Sequence, residues 1–101
     1  MDVMTSTETL ALPEVSFQLH PVFPNPSEAN IMIPFEMKEA NRVRFSVLDL
    51  MGRERKRITE GRFLPGEHQI NWTASDLESG TYLLEMRIGG VRQHRKISIL
   101  K

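Results

Sequence analysis

Tyr82-Leu83-Leu84-Glu85-Met86-Arg87-Ile88-Gly89-Gly90-Val91-Arg92-Gln93-His94-Arg95-Lys96-Ile97-Ser98-Ile99 is the stretch that decides the fold. Two runs of alternating character flank a Gly-Gly pair, which is the signal for a two-residue hairpin with a primed turn. With Gly89 and Gly90 as the loop, Ile88 faces Val91, Met86 faces Gln93, Leu84 faces Arg95 and Tyr82 faces Ile97. One side then gathers Tyr82, Leu84, Met86, Ile88, Val91, Ile97 and Ile99 as a core face. The other side sets Glu85 across from His94, with Arg92 and Lys96 diagonal to it, an exposed arrangement worth roughly a few tenths of a kcal/mol per pair. A slip of one residue turns both faces over, so the register is strongly specified.

The same period of two runs outward from this hairpin. In Arg42-Val43-Arg44-Phe45-Ser46-Val47, the residues Val43, Phe45 and Val47 face inward. This strand ends at Asp49-Leu50-Met51-Gly52, where Gly52 supplies the positive φ of a tight turn. Ile31, Ile33 and Phe35 alternate with Met32, Pro34 and Glu36. Proline has no N–H for a ladder, so Pro34 predicts that this second strand is an exposed edge. Phe17 and Leu19, with Val22, open a first edge strand restricted by Pro21, Pro24 and Pro26. Arg53 to Ile58 forms a charged fourth strand, bounded by Gly61 and by the Leu64-Pro65-Gly66 turn. His68 through Ile70 to Trp72 forms the fifth, and Trp72 is expected in the core because of its large apolar area.

Seven short strands and no helical period predict an all-β chain, a seven-stranded antiparallel immunoglobulin-like β-sandwich over residues 17–101. No Cys-Trp-Cys spacing is present, which excludes an antibody-type domain. Residues 1–16 are rich in Thr and Ser, include Pro13 and have no period, so they read as a flexible linker or tail.

The 101 residues suit one small core and leave no room for separate cofactor and substrate domains. Without cysteine the chain builds neither disulfides nor thiolate metal sites. His20, His68 and His94 fall on three different segments, which predicts no metal and no cofactor. No nucleophile-elbow or comparable catalytic signature occurs, so an enzyme is not expected. No apolar run is long enough to span a membrane as a helix, and the first residues lack the basic and apolar regions of a secretory signal. An exported precursor would therefore be longer than this chain.

Thirteen acids balance thirteen bases, but unevenly. Six acids and one base lie in residues 1–40, against twelve bases and seven acids in residues 41–101. The expectation is that neighbouring strands offset one another. Arg53-Glu54-Arg55-Lys56-Arg57 has no aromatic to stack on a base, so it reads as a solvated edge strand and not as a nucleic-acid site. On that strand Arg53, Arg55 and Arg57 would share one face, with Glu54, Lys56 and Ile58 on the other.

As an ordered set, Pro24-Asn25-Pro26, Asp49-Leu50-Met51-Gly52-Arg53-Glu54, Gly66-Glu67-His68-Gln69-Ile70-Asn71-Trp72, Leu77-Glu78-Ser79-Gly80-Thr81-Tyr82 and the closing Arg95-Lys96-Ile97-Ser98-Ile99-Leu100-Lys101 resemble the C-terminal sorting domain of the type IX secretion system. The resemblance implies a noncatalytic address label, in transit through the periplasm to the cell surface or exterior. Its partners would be an outer-membrane secretion translocon, a surface sorting peptidase and a covalently linked N-terminal cargo. Partner recognition is expected at Pro24, Asn25, Pro26, Gly80, Tyr82, Lys96 and Lys101, and turns at Gly52, Gly66, Gly89 and Gly90. Two of these expectations have structural counterparts. Tyr82 would pack near the sandwich end with its hydroxyl bonded to a loop, and Gly80 would allow a close approach there. The proline turn serves equally as a fold-closing turn or as a recognition surface. The fourth strand is more basic than is typical of these domains. Two other readings are a generic adhesion or carbohydrate-binding sandwich and the immunoglobulin-like domain of a flagellar hook-capping protein, which has a related Gly-Arg and Gly-x-Tyr pattern.

Overall fold

Alternation of buried and exposed side chains builds seven strands in a computed structural model that describes residues 16–101. They are β1 (Phe17–Leu19), β2 (Asn30–Met37), β3 (Asn41–Leu48), β4 (Glu54–Phe63), β5 (Gly66–Thr73), β6 (Gly80–Ile88) and β7 (Val91–Ile99). No helix occurs among the described residues. The expected linker, residues 1–16, lies outside the described residues except for Ser16.

All strand pairs are antiparallel and form a three-stranded sheet β1-β2-β5 facing a four-stranded sheet β4-β3-β6-β7. The fourth strand thus joins the third. In a constant-type immunoglobulin domain it would join the other sheet. Phe35 of one sheet meets Phe45 of the other at 4.9 Å between ring centroids, and Phe63 packs edge-on against Phe35 at 5.2 Å. Leu19, Ile33, Val43, Val47, Leu84, Met86 and Ile99 complete a fully buried layer between the sheets.

The hairpin register is the expected one, from Ile88 against Val91 to Tyr82 against Ile97, with Glu85 against His94. Gly89 has φ 57°, and Gly90 lies outside the left-handed region, as a turn with positive φ at its first position requires.

Several expectations need correction. The strand containing Pro34 is the middle of its sheet and not an edge. The Pro34 carbonyl accepts from the His20 N–H at 3.0 Å, just past the end of β1. In an antiparallel strand N–H and C=O of one residue point the same way, so the missing donor falls where β1 has already stopped.

Trp72 is half-buried because β5 is the outer strand of its sheet, where the opposite layer covers only part of the ring. Val91 is 54% exposed at the hairpin tip, beyond the reach of the core. Glu85 is buried, not exposed: β6 lies between β3 and β7, so Ser46 and His94 flank it directly, and His94 Nε2 approaches its carboxylate at 3.1 Å. Finally, β4 runs on through Gly61 to Phe63, and its register shifts twice against β3. The shifts break the expected alternation of Arg53, Arg55 and Arg57, and they guard this charged edge against strand addition.

Candidate functional site

Strand polarity divides the sandwich into two ends. β1 begins opposite Met37, which itself faces Gly66, so Phe17 lies at the end that carries the 38–40, 64–65 and 89–90 connections. The opposite end carries the loops 20–29, 49–53 and 74–79 and the residues that follow Ile99. All seven residues expected to take part in recognition lie at or beside this second end.

The proline turn is a clasp on the last strand. The Asn25 amide donates to the Lys96 carbonyl at 2.9 Å, and its oxygen accepts from the Ser98 N–H at 2.9 Å. Ser27 continues the pairing, donating from its N–H to Ser98 O (2.9 Å) and accepting at its carbonyl from Leu100 N–H (2.8 Å). The side-chain amide therefore imitates one residue of a strand, and Ser27 forms a parallel bridge with Ile99. Both X–Pro bonds of the turn are cis. Of the two roles the sequence left open, closing the fold is one this turn performs.

Gly80 and Tyr82 stand beside that clasp, paired with Ile99 and Ile97. The Tyr82 hydroxyl donates to the Glu78 carbonyl at 2.7 Å, the expected tether of a ring to its loop. A Cβ on Gly80 would meet this ring at 3.7 Å, an ordinary contact. Lys101 donates from Nζ to Ser75 O at 2.8 Å, and its N–H bonds Ser79 Oγ at 2.9 Å. Asp76, in the same loop, has its carboxyl held below the usual value by the Lys56 ammonium at 2.7 Å, with a smaller contribution from Lys101.

The Asp49-Leu50-Met51-Gly52-Arg53 word has an internal explanation at the same end. The Asp49 carboxylate accepts from the Met51 and Arg53 N–H groups at 2.9 and 3.0 Å and pairs with the Arg53 guanidinium at 3.0 Å, while Gly52 sits at φ 87°. The Arg53 N–H first, and its guanidinium next, hold the Asp49 carboxyl below its ordinary 3.8. A carboxyl lowered in the folded state contributes stability above 3.8 that is lost as pH falls through its folded value. Urea unfolding of Asp49→Asn is therefore expected to show a lower midpoint than the parent chain at neutral pH, and the difference should close only below about pH 4. A gap that persists unchanged to about pH 2 would assign the effect to something other than this charge.

Two important side chains escaped the sequence reading. Gln93 accepts from the Leu19 N–H at 2.8 Å and donates to Phe17 O at 3.0 Å, and Arg95 donates to Leu19 O at 3.1 and 2.6 Å. They bond the outer backbone of β1 from β7, the reciprocal of what Asn25 does for β7. The signal was available: the hairpin register places these two polar residues on an otherwise apolar face.

Among the described residues no group of three or more His, Asp or Glu could hold a metal ion, and no helix is long and apolar enough to cross a membrane. No curated protein and no solved structure matches the chain. The family model of the secretion system C-terminal sorting domain matches residues 21–100, from just after β1 to the penultimate residue. The chain therefore belongs to the C-terminal sorting domains of the type IX secretion system.

Proposed function

We propose that residues 17–101 act as a noncatalytic signal that carries an attached N-terminal cargo through the periplasm and across the outer membrane by the type IX translocon. The end bearing Pro24-Asn25-Pro26, Gly80, Tyr82, Lys96 and Lys101 is the part that the machinery reads. The observation that carries this is the convergence of these residues around the last strand, at the end opposite the one where Phe17 enters the sandwich. The cargo then leaves from one end and the address is presented at the other. A surface peptidase would act on the segment before β1.

A periplasmic reporter carrying this chain at its C-terminus should reach the cell surface in a host that has the system, and remain periplasmic without the chain. Retention of the fused reporter would overturn the proposal. Lys96→Ala with Lys101→Ala tests the basic residues alone. The double variant should keep its unfolding free energy within about 1 kcal/mol of the parent's, since both groups are exposed, and should lower surface delivery. Normal delivery by the folded variant would remove the basic terminus from the signal.

A further inference from the structure

The uneven charge of the sequence becomes a surface in the fold. The basic later part of the chain supplies all of β4, β3, β6 and β7, and because its remaining strand, β5, has no Lys or Arg, the strand bases of this part are gathered in one sheet. Val43, Phe45, Tyr82, Leu84 and Met86 face inward, which turns the alternate residues to the outer side. Across that outer side Arg44 is directly opposite Arg87, and Arg87 directly opposite Arg92. One step along, Arg42 is opposite Arg62. The expected offset between neighbouring strands holds only in part here, since Arg44 also faces Glu60 on β4.

Like charges placed directly opposite each other on strands are destabilising. Glu60, directly opposite Arg44, turns its carboxylate to Arg42 and Arg57 at 3.4 Å each. Arg44, at the centre, has no ion pair among the described residues, and Arg87 donates only to the Gly89 carbonyl at 2.9 Å. Counting the paired outward positions, seven cationic side chains (Arg42, Arg44, Arg57, Arg62, Arg87, Arg92, Lys96) meet three carboxylates (Glu54, Glu60, Glu85). A shallow depression of about 280 Å³ opens among Asn41, Arg42, Arg44, Glu60, Arg87 and Gly89.

The geometry points to a second binding surface, one that docks the outer sheet face on a membrane presenting phosphate headgroups. Guanidinium groups fit phosphate with paired hydrogen bonds. Strand spacings of about 5 Å across and 7 Å along the sheet spread the five arginines Arg42, Arg44, Arg62, Arg87 and Arg92, which occupy four adjacent strands, over roughly 15 by 7 Å. No single phosphate reaches them all, but a surface of many phosphates does. Leu64, 63% exposed just past β4, lies at the same end of the sheet, where an apolar side chain can enter the headgroup boundary. The face has no Phe, Tyr or Trp at its paired outward positions to stack on bases, which disfavours a nucleic acid.

The test is cosedimentation of the full 101-residue chain with phosphatidylcholine vesicles, with and without phosphatidylglycerol. Binding should require phosphatidylglycerol and weaken with salt. Arg44→Gln with Arg87→Gln should reduce partitioning about thirtyfold at unchanged or raised thermal midpoint, and Arg44→Lys with Arg87→Lys should restore most of it. The proposal is overturned if the parent chain ignores the anionic vesicles, if the folded Gln variant binds them as well as the parent, or if an oligonucleotide of random sequence binds more tightly than the vesicles do. Because the readout is vesicle binding by the isolated chain, it is separate from delivery in cells.

Discussion

Truncation after Lys96 is expected to unfold the domain and to abolish delivery of an attached reporter. The five residues removed include Ile97 and Ile99, both almost completely buried between the sheets. Deleting one such side chain costs about 2–5 kcal/mol, and a domain of this kind holds only about 5–15 kcal/mol in total. The same cut removes Ser98 and Leu100, whose backbone groups bond Asn25 and Ser27, so the proline turn loses its anchorage as well. Circular dichroism should show loss of the cooperative transition. Ile99→Ala separates packing from signal: the backbone bonds remain and only side-chain volume is lost, with an expected cost of about 2–5 kcal/mol. A truncated chain that still melted cooperatively near the parent midpoint would show that β7 is dispensable to the core.

Asn25→Ala should produce the second large effect, in association as well as stability. Its amide makes two hydrogen bonds to the edge of β7, and their loss is expected to cost about 1–3 kcal/mol in urea unfolding. The variant also uncovers the Lys96 C=O and the Ser98 N–H on an outer strand, groups that natural sheets keep covered. Sedimentation velocity should therefore reveal larger species than the parent chain forms at equal concentration. Asn25→Asp probes the same contact with nearly the same shape. It keeps an acceptor for Ser98 N–H but places an anionic oxygen against the Lys96 carbonyl, so it should resemble the alanine variant more than the parent. Unchanged stability together with unchanged sedimentation would show that the amide does not protect the edge.

What the sequence revealed depended on how local its physics was. The β6–β7 register was readable because the loop glycines and the alternating faces are neighbours in the chain. The Tyr82 tether reaches back only four residues, and it too was legible. The position of β2 within its sheet was not, since the rule that proline marks an edge ignores where the neighbouring strand ends. The burial of Glu85 and the half-exposure of Trp72 depended on which strands lie alongside, which is a property of topology. At the candidate site, the residues of the proline turn were marked by their own composition. Their partners on β7 lie more than seventy positions away, where no local pattern points. Gln93 and Arg95 were the exception that could have been found, because polar groups on a core face must satisfy their hydrogen bonds somewhere.

The bonds from Gln93 and Arg95 to β1 have a mechanical consequence. β1 and β7 run in the same direction, so a tug on the chain ahead of Phe17, with the opposite end held fast, slides these strands past each other lengthwise. The contacts at Phe17 and Leu19 then lie across the line of force and must give way together instead of peeling one at a time. A pull applied in this way meets the four bonds from Gln93 and Arg95 in shear, as one set.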